Sequence, residues 1–313
     1  MKQVVFDAHC DTISKIVNFG GNLYRNKYNI DIERAKGEGR GYAQVFAAFT
    51  DRENISKTPF EHACSLIDTY FDEINKNNNL ISHCKSYKDV ETAFETGKIA
   101  AMLAIEGGEV IEGKIENLEK FYDLGVRVMT LTWNYDNEIS GSVMSGSKKR
   151  LSGFGKTVVS KMNKMGMLID VSHISCEGFW DTLETSQKPV AATHSNAYRI
   201  TKHPRNLNDE QICALIKTDG FLGVNFYSEF LSDTRCDAFN IAKHIEHILS
   251  LGGENILGFG SDFDGCETLP DGVDGVQDFW TVIDFLKEIG YSDEIIEKIA
   301  YKNFLRILRQ TIN

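Results

Sequence analysis

The stretch GKTVVSKMNKMGMLIDVSHIS, residues 155–175, contains one full unit of the pattern that predicts the fold. Its first part, 155–166, resembles an amphipathic helix and ends at a glycine, as helices often do. A short apolar run at 168–171 follows and leads directly into Ser172 and His173. Alternation of amphipathic segments with short apolar runs is typical of β/α units in a parallel sheet.

The same alternation continues along the chain without an internal sequence repeat. Further helix-like segments lie at 60–75, 115–125 and 239–253. Eight candidate strands in a single domain, residues 1–313, predict a closed (β/α)8 barrel of the α/β class, with a doubly wound open sheet as the alternative. The segment 18–41, rich in glycine, asparagine and charge, is predicted to be an excursion that covers the site. The candidate strands are 4–8, 43–49, 100–105, 126–132, 168–171, 190–193, 222–226 and 257–260.

Composition and charge restrict the classes of partner. The 313 residues carry a formal net charge of −11, whereas nucleic-acid binding needs a basic surface, so no nucleic-acid partner is expected. The sequence contains no run of about 18 apolar residues, so no membrane span is expected. The N-terminus lacks the apolar core of a signal peptide. The seven cysteines form no C-x-x-C pair, which is typical of reduced thiols. These observations predict a cytoplasmic protein.

Polar residues follow five of the eight candidate strands at their C-terminal ends. The active site of a β/α barrel lies at that end of the strands, so these side chains should converge on one rim. Histidine and carboxylate side chains are costly to bury unless they are paired or bind a metal. The converging residues are His9 and Asp11 after the first strand, Glu106 after the third, Asp170 and His173 after the fifth, His194 after the sixth, and Asp262 and Asp264 after the eighth.

This mixture of imidazole and carboxylate groups without thiolates suits Zn²⁺, Mn²⁺, Fe²⁺ or Co²⁺. His9 and Asp11 alternate onto one face of an extended segment, so both can reach one ion while Cys10 points away. A catalytic zinc takes three protein ligands and a water, and five ligands therefore predict two ions with a shared carboxylate. Glu106 is the candidate bridge because its carboxylate has two oxygens. The predicted ligands are His9, Asp11, Glu106, His173 and His194.

Two histidines outside this group are interpreted as surface residues. His244 and His247 lie three residues apart in the segment 239–253, whose apolar stripe contains Ile241 and Ile245. We therefore predict a solvated helix face for both histidines rather than a further metal site.

Seven strings spread along the chain carry a family resemblance. They are DAHCDT (7–12), AIEGG (104–108), GMLIDVSHIS (166–175), VAATHSNA (190–197), RNLNDEQ (205–211), VNFY (224–227) and GFGSDFDG (258–265). In order and spacing they resemble the membrane (renal) dipeptidase family of zinc dipeptidases. The resemblance implies a β/α barrel with two Zn²⁺ ions per chain. It also implies hydrolysis of dipeptides, including some with a C-terminal D-residue, through a hydroxide that bridges the metals. Relatives are often dimers, so the resemblance leaves a homodimer open.

The resemblance implies roles for individual positions. Arg205 would pair with the free carboxylate of the substrate, a contact that suits a planar guanidinium. Asp262 would take a proton from the attacking water and pass it to the departing amine. Tyr227 would lie near the substrate. The metal sites would be formed by His9 and Asp11 on one zinc and by His173 and His194 on the other, with Glu106 as the bridge.

One position departs from the family pattern. Animal members carry a histidine just after the fourth strand, where this chain has Trp133. Tryptophan has one N–H donor and cannot act as a base. We therefore expect metal binding to survive, with a different rate or substrate preference. Trp133 and Asn134 are predicted to lie at the substrate, and either Asn134 or Asn137 is expected to supply the missing donor.

Two alternatives to a dipeptidase remain. One is a related metal-dependent amidohydrolase acting on a small acylated amino acid or a cyclic amide. Such barrels usually begin with H-x-H and bridge their metals through a modified lysine, whereas this chain has H-x-D and a glutamate after the third strand. The other alternative is a catalytically inactive barrel that binds metal or a small molecule, which only Trp133 favours.

Overall fold

Parallel strands form a closed barrel in the computed structural model, which describes residues 4–37, 40–51 and 55–312. The strands are β1 (Val4–Cys10), β2 (Gly41–Phe49), β3 (Ile81–His83), β4 (Ile99–Glu106), β5 (Val126–Thr130), β6 (Leu168–Asp170), β7 (Ala191–Ala192), β8 (Phe221–Val224) and β9 (Leu257–Phe259). The ring runs β1, β2, β4, β5, β6, β7, β8, β9 and returns to β1. All eight predicted strands are present in this ring. The (β/α)8 barrel is therefore confirmed, and the open-sheet alternative is wrong.

The short strand β3 is the one that the sequence did not predict. It pairs with the first residues of β4, from Ile81 opposite Ile99 to His83 opposite Ala101. Three residues are too few to produce a recognisable alternation of apolar and polar side chains, and their pairing depends on a neighbour that is distant in sequence.

Helices surround the barrel, and the predicted helical segments are all present. Helix α3 begins after Thr58, whose side chain forms a capping box with Glu61, and α6 ends at Gly166 in the left-handed conformation. No helix within the described ranges is long and apolar enough to cross a membrane. The helices are α1 (Thr12–Phe19), α2 (Ile32–Ala35), α3 (Pro59–Lys76), α4 (Tyr87–Glu95), α5 (Ile115–Asp123), α6 (Gly153–Met165), α7 (Cys176–Thr185), α8 (Asp209–Lys217), α9 (Ser228–Leu231), α10 (Ala238–Ser250), α11 (Phe279–Glu288), α12 (Asp293–Glu297) and α13 (Asn303–Thr311).

The strand alternation that fills the barrel also delivers side chains to its mouth. Ala100, Met102 and Ala104 of β4 belong to the buried cluster inside the barrel. Glu106 continues the same alternation and therefore points into the mouth at the C-terminal end of the strand. The other end of the barrel is closed by α13, where the Phe304 ring packs 4.6 Å from that of Phe6.

The excursion after β1 packs on the loop after β9. The backbone N–H of Asn29 donates to the Asp264 carboxylate at 2.9 Å, and the Asp264 N–H donates to the Asn29 side chain at 2.8 Å. Asn18 and Phe19, at the start of this excursion, line the cavity at the mouth of the barrel. The segment therefore covers one side of the site, as predicted.

The prediction for His244 is wrong, because this side chain is fully buried. It lies on the same helix face as Ile241 and Ile245 and therefore faces the core with them. Its Nδ1 accepts a hydrogen bond from the Ala197 N–H at 3.1 Å, and its Nε2 lies 3.1 Å from the Leu231 carbonyl oxygen. These contacts require a neutral imidazole with its proton on Nε2. His244 thus joins the loops after β7 and β8.

The burial of His244 predicts a loss of stability in mild acid. Burial lowers the pKa of His244 to about 4 from an ordinary value of 6.5. The unfolded chain therefore takes up this proton below about pH 6.5, while the folded protein resists it until about pH 4. Stability is lost as the pH falls through that window, by roughly 2 kcal/mol at pH 5.

The measurement is the free energy of unfolding in urea at pH 7 and pH 5, for the wild type and for His244→Gln. We expect the variant to be less stable at pH 7 but to lose less stability between the two pH values. Equal losses in the two proteins would contradict this account of His244.

Candidate metal centre and active site

The five predicted metal ligands meet at the C-terminal mouth of the barrel, and all are buried. They come from the ends of four different strands, so the closed ring brings together residues that are far apart in sequence. In β1 the pairing register with β2 shifts between Asp7 and Cys10, where the first ligand pair begins. The predicted ligands are His9 near the end of β1, Asp11 directly after β1, Glu106 at the end of β4, His173 after β6 and His194 after β7.

Glu106 lies between two groups of donor atoms. Its Oε1 lies 2.9 Å from His173 Nε2 and 3.6 Å from His194 Nε2, whereas its Oε2 lies 3.4 Å from His9 Nε2. Asp11 completes the second group, with Oδ2 at 3.4 Å from His9 Nε2. One carboxylate thus presents a different oxygen to each group, which is the arrangement that a bridging ligand needs.

Two atoms of the cluster are buried without a hydrogen-bond partner among the described residues, namely His9 Nε2 and Asp11 Oδ1. Such atoms are costly to bury, and a bound cation would satisfy both. Three carboxylates, Glu106, Asp11 and Asp262, also lie around the same histidine, and burial raises the pKa of Glu106 well above its usual range. The donor set and its charge therefore fit metal ions such as zinc.

The protonation of the histidines agrees with this fit. Burial lowers the pKa of His173 and of His194 well below the usual value, so both are neutral imidazoles with a free lone pair. At His9 burial acts in the same direction, but the nearby carboxylates of Glu106 and Asp11 raise the pKa of the imidazole well above its usual value. The position that attracts a proton in this cluster is also one that would attract a metal cation.

Neighbouring side chains orient His173 and His194. Asn134 Oδ1 lies 2.9 Å from His173 Nδ1, and Thr193 Oγ1 lies 2.8 Å from His194 Nδ1, so Nε2 of each ring faces Glu106. Asp170, which the sequence places on the rim, lies beneath them and accepts a hydrogen bond from the Thr193 N–H at 2.9 Å. It therefore holds the chain in the region of the ligands instead of facing the cavity.

Asn134 and Asn137 were both candidates for a donor at the substrate, and the structure separates them. Asn137 donates from Nδ2 to the Leu131 carbonyl oxygen at 2.9 Å and accepts from the Ile139 N–H at 2.9 Å. These contacts fix the loop after β5. Asn134 lines the cavity, although its Oδ1 is held by His173.

Asp262 reaches the cluster from the loop after β9. Its Oδ1 lies 3.9 Å from His9 Nε2, and its Oδ2 accepts a hydrogen bond from Asn225 Nδ2 at 2.9 Å. Gly265 allows this close approach, since a Cβ there would lie 2.3 Å from Asp262 Oδ1 and 2.4 Å from Asp11 Oδ2. The sequence did not identify Asn225 as part of the site. The string VNFY marks its position, but a lone asparagine after a strand gives no signal of its own.

The residues predicted to contact substrate line a cavity of about 500 Å³ above the cluster. Arg205 is buried in its wall and donates to the backbone carbonyl oxygens of Ser172 and His194. Burial lowers the pKa of Arg205 to about 10, so its guanidinium keeps its charge at neutral pH. Tyr227 and Trp133 line the same cavity.

Comparison with known proteins identifies the family. The sequence pattern of the membrane dipeptidase family (peptidase family M19) matches residues 1–313. The chain belongs to this family. It is therefore a metal-dependent dipeptidase of the M19 metallopeptidases, and the resemblance that the seven strings carry is confirmed.

Relatives of this M19 dipeptidase support the assignment over most of the chain. A protein encoded in the pqqA 5′ region of Klebsiella pneumoniae is 34% identical in an alignment 262 residues long, and the match covers 78% of this chain and 96% of that protein. A dipeptidase of Schizosaccharomyces pombe is 32% identical in an alignment 292 residues long, and the match covers 88% of this chain and 70% of that protein.

A solved structure supports the fold. A metallopeptidase from Rhodobacter sphaeroides, liganded with a phosphinate mimic of the dipeptide L-Ala-D-Ala, is similar with a TM-score of 0.91 and 22% identity. The similarity covers 99% of this chain and 100% of that protein. This M19 member therefore has the barrel seen in that structure.

Proposed function

We propose that the protein hydrolyses dipeptides at a site that binds two Zn²⁺ ions, with Glu106 as the bridging ligand. The position of Glu106 between two donor groups carries this proposal, since Oε1 faces His173 and Oε2 faces His9. Two zinc ions bound there would lower the pKa of a shared water and stabilise negative charge on the scissile carbonyl oxygen. A cytoplasmic location and a homodimer stay predictions.

Arg205 determines how the substrate lies in the cavity. Its buried guanidinium is a fixed cation in the cavity wall, and the free carboxylate of a dipeptide is its complement. A substrate held there places its peptide bond over Glu106 and the histidines. The family pairing of Arg205 with the substrate carboxylate therefore fits the geometry of this chain.

In this proposal Asp262 moves the proton. Asn225 holds Oδ2, which leaves Oδ1 directed at the cluster beside His9. The carboxylate takes a proton from the attacking water at Oδ1 and gives it to the nitrogen of the departing amino acid. Burial raises the pKa of Asp262, which makes its protonated form accessible during turnover.

Dipeptides with a C-terminal D-residue belong to the proposed substrates. The Rhodobacter sphaeroides metallopeptidase of the same fold was solved with a mimic of L-Ala-D-Ala. The cavity of about 500 Å³ is large enough for a small dipeptide with both side chains.

The test is a panel of L-L and L-D dipeptides assayed before chelation, after chelation and after addition of zinc. We expect turnover that chelation removes and zinc restores, together with about two zinc ions per chain by elemental analysis. N-acyl amino acids in the same panel test the amidohydrolase alternative. No hydrolysis of any dipeptide by protein with about two metals bound would contradict the proposal, as would turnover that chelation does not affect.

A further inference from the structure

Two aromatic side chains form one wall of the substrate cavity. Phe49 and Trp133 both line it, and their rings lie 4.7 Å apart. Tyr135 also packs against Trp133 at 5.3 Å, in an edge-to-face arrangement. The indole therefore contacts two other rings, which fixes its position in the wall.

The register of the strands places this wall beside the reaction centre. Phe49 is paired with Glu106 across β2 and β4, so the two side chains point into the mouth next to each other. Trp133 immediately precedes Asn134, which holds His173. The aromatic wall therefore stands next to the peptide bond that would be cleaved.

The order of strands places Phe49 opposite Arg205, whereas Trp133 follows β5, a quarter of the ring from β7, and joins this wall through its contact with Phe49. In the ring of eight, β2 and β7 are diametrically opposed, and Arg205 lies in the loop after β7. Tyr227 and Phe230, from the segment after β8, line the cavity on the Arg205 side. A dipeptide that binds Arg205 through its carboxylate and crosses Glu106 directs its N-terminal residue toward Phe49, against which Trp133 packs.

From this geometry, and resting on the proposed dipeptidase function, we propose that Phe49 and Trp133 form the subsite for the N-terminal side chain. The preferred substrates are then dipeptides with a bulky apolar or aromatic N-terminal residue. Met144, also at the cavity wall, extends the apolar surface. Trp133, which stands where animal relatives carry a histidine, would thus serve substrate selection rather than proton transfer.

Charged side chains also line the cavity. The acidic residues Glu229 and Glu267 come from the segments after β8 and β9. Lys15 of α1, a helix that follows the β1 neighbour of β2, is a cation among the described lining residues. If Lys15 determined selection instead, acidic N-terminal residues would be preferred.

The experiment measures kcat/KM of the zinc-loaded protein for dipeptides with N-terminal Gly, Ala, Leu, Phe, Glu or Lys and one constant C-terminal residue. We expect kcat/KM to rise on the order of 10- to 100-fold from Gly to Leu or Phe, because the side chain is buried against the aromatic wall. A ranking that is flat, or that is led by Glu or Lys, would overturn the proposal. If no dipeptide is hydrolysed at all, the proposed function itself fails.

Variants of Phe49 and Trp133 test whether the aromatic wall causes the ranking of substrates by kcat/KM. Trp133→Ala and Phe49→Ala should lose on the order of 10-fold for Leu and Phe substrates but less than about 3-fold for Gly substrates. The milder Trp133→Phe and Phe49→Leu should give the same trend if the alanine variants fold poorly. Trp180→Ala and Phe239→Ala remove exposed aromatic residues outside the cavity and serve as matched controls. The assignment of the subsite to Phe49 and Trp133 would be overturned if the control variants changed the ranking of substrates as much as the wall variants do. It would also be overturned if all four wall variants left the ranking unchanged.

Discussion

Replacement of Glu106 by glutamine is expected to lower kcat/KM by about 10³-fold or more and to reduce the zinc content below two ions per chain. The amide keeps the shape of the side chain but has one oxygen and no charge. The single amide oxygen can face either His173 or His9, whereas the two carboxylate oxygens of Glu106 face one each. The measurement is metal content by elemental analysis together with dipeptide kinetics.

The same substitution separates metal binding from folding. Burial raises the pKa of Glu106, and Asp11 and Asp262 add to this effect, so the carboxylate is costly to keep charged without metal. The metal-free variant should therefore be at least as stable as the metal-free wild type. Glu116→Gln, an exposed glutamate on α5, is the matched control and should change neither metal content nor turnover. Two bound metals and normal turnover in the Glu106 variant would exclude the bridging role.

The convergence of the predicted metal ligands at one rim could be predicted from the sequence because it depends on topology alone. Each polar residue follows a short apolar run, and a closed β/α barrel brings all such positions to one rim. Glu106 shows this directly, since the alternation of β4 can be counted from Ala100 in the sequence. The strand ends and the fold class required no knowledge of individual contacts.

The residues that orient the ligands could not be predicted in the same way. Asn225 holds Asp262, which lies 37 positions away, and His244 accepts from Ala197 at a separation of 47. The identity of a single polar residue does not indicate a partner so distant in sequence. His244 looked like part of a solvated face because histidine is polar, but its place on the apolar stripe determined its burial. Similarly, Asn134 could be placed near the site, but its contact with His173 depends on the path of the loop after β5.

Replacement of Asp262 by asparagine is expected to lower kcat by about 10²- to 10⁴-fold, with KM and metal content little changed. Asp262 has a φ of 60°, a left-handed conformation that asparagine adopts readily, so the backbone should tolerate the change. The new amide oxygen can accept from Asn225 Nδ2, which turns the amide NH₂ toward the position that Oδ1 occupies beside His9. A donor that cannot accept a proton then replaces the proposed base, while the proposed contact of Arg205 with the substrate carboxylate is unaffected.

An ester analogue distinguishes proton transfer from a general disturbance of the site. A departing alkoxide needs less protonation than a departing amine, so Asp262→Asn should lose less activity on a depsipeptide than on the matching dipeptide. Glu267→Gln removes an exposed carboxylate from the same cavity and controls for the change in charge. Equal losses on ester and amide would assign Asp262 to positioning or charge stabilisation. Near-normal dipeptide turnover of the Asp262 variant with both metals bound would contradict any role of Asp262 in the mechanism. No described contact would then require a carboxylate beside His9.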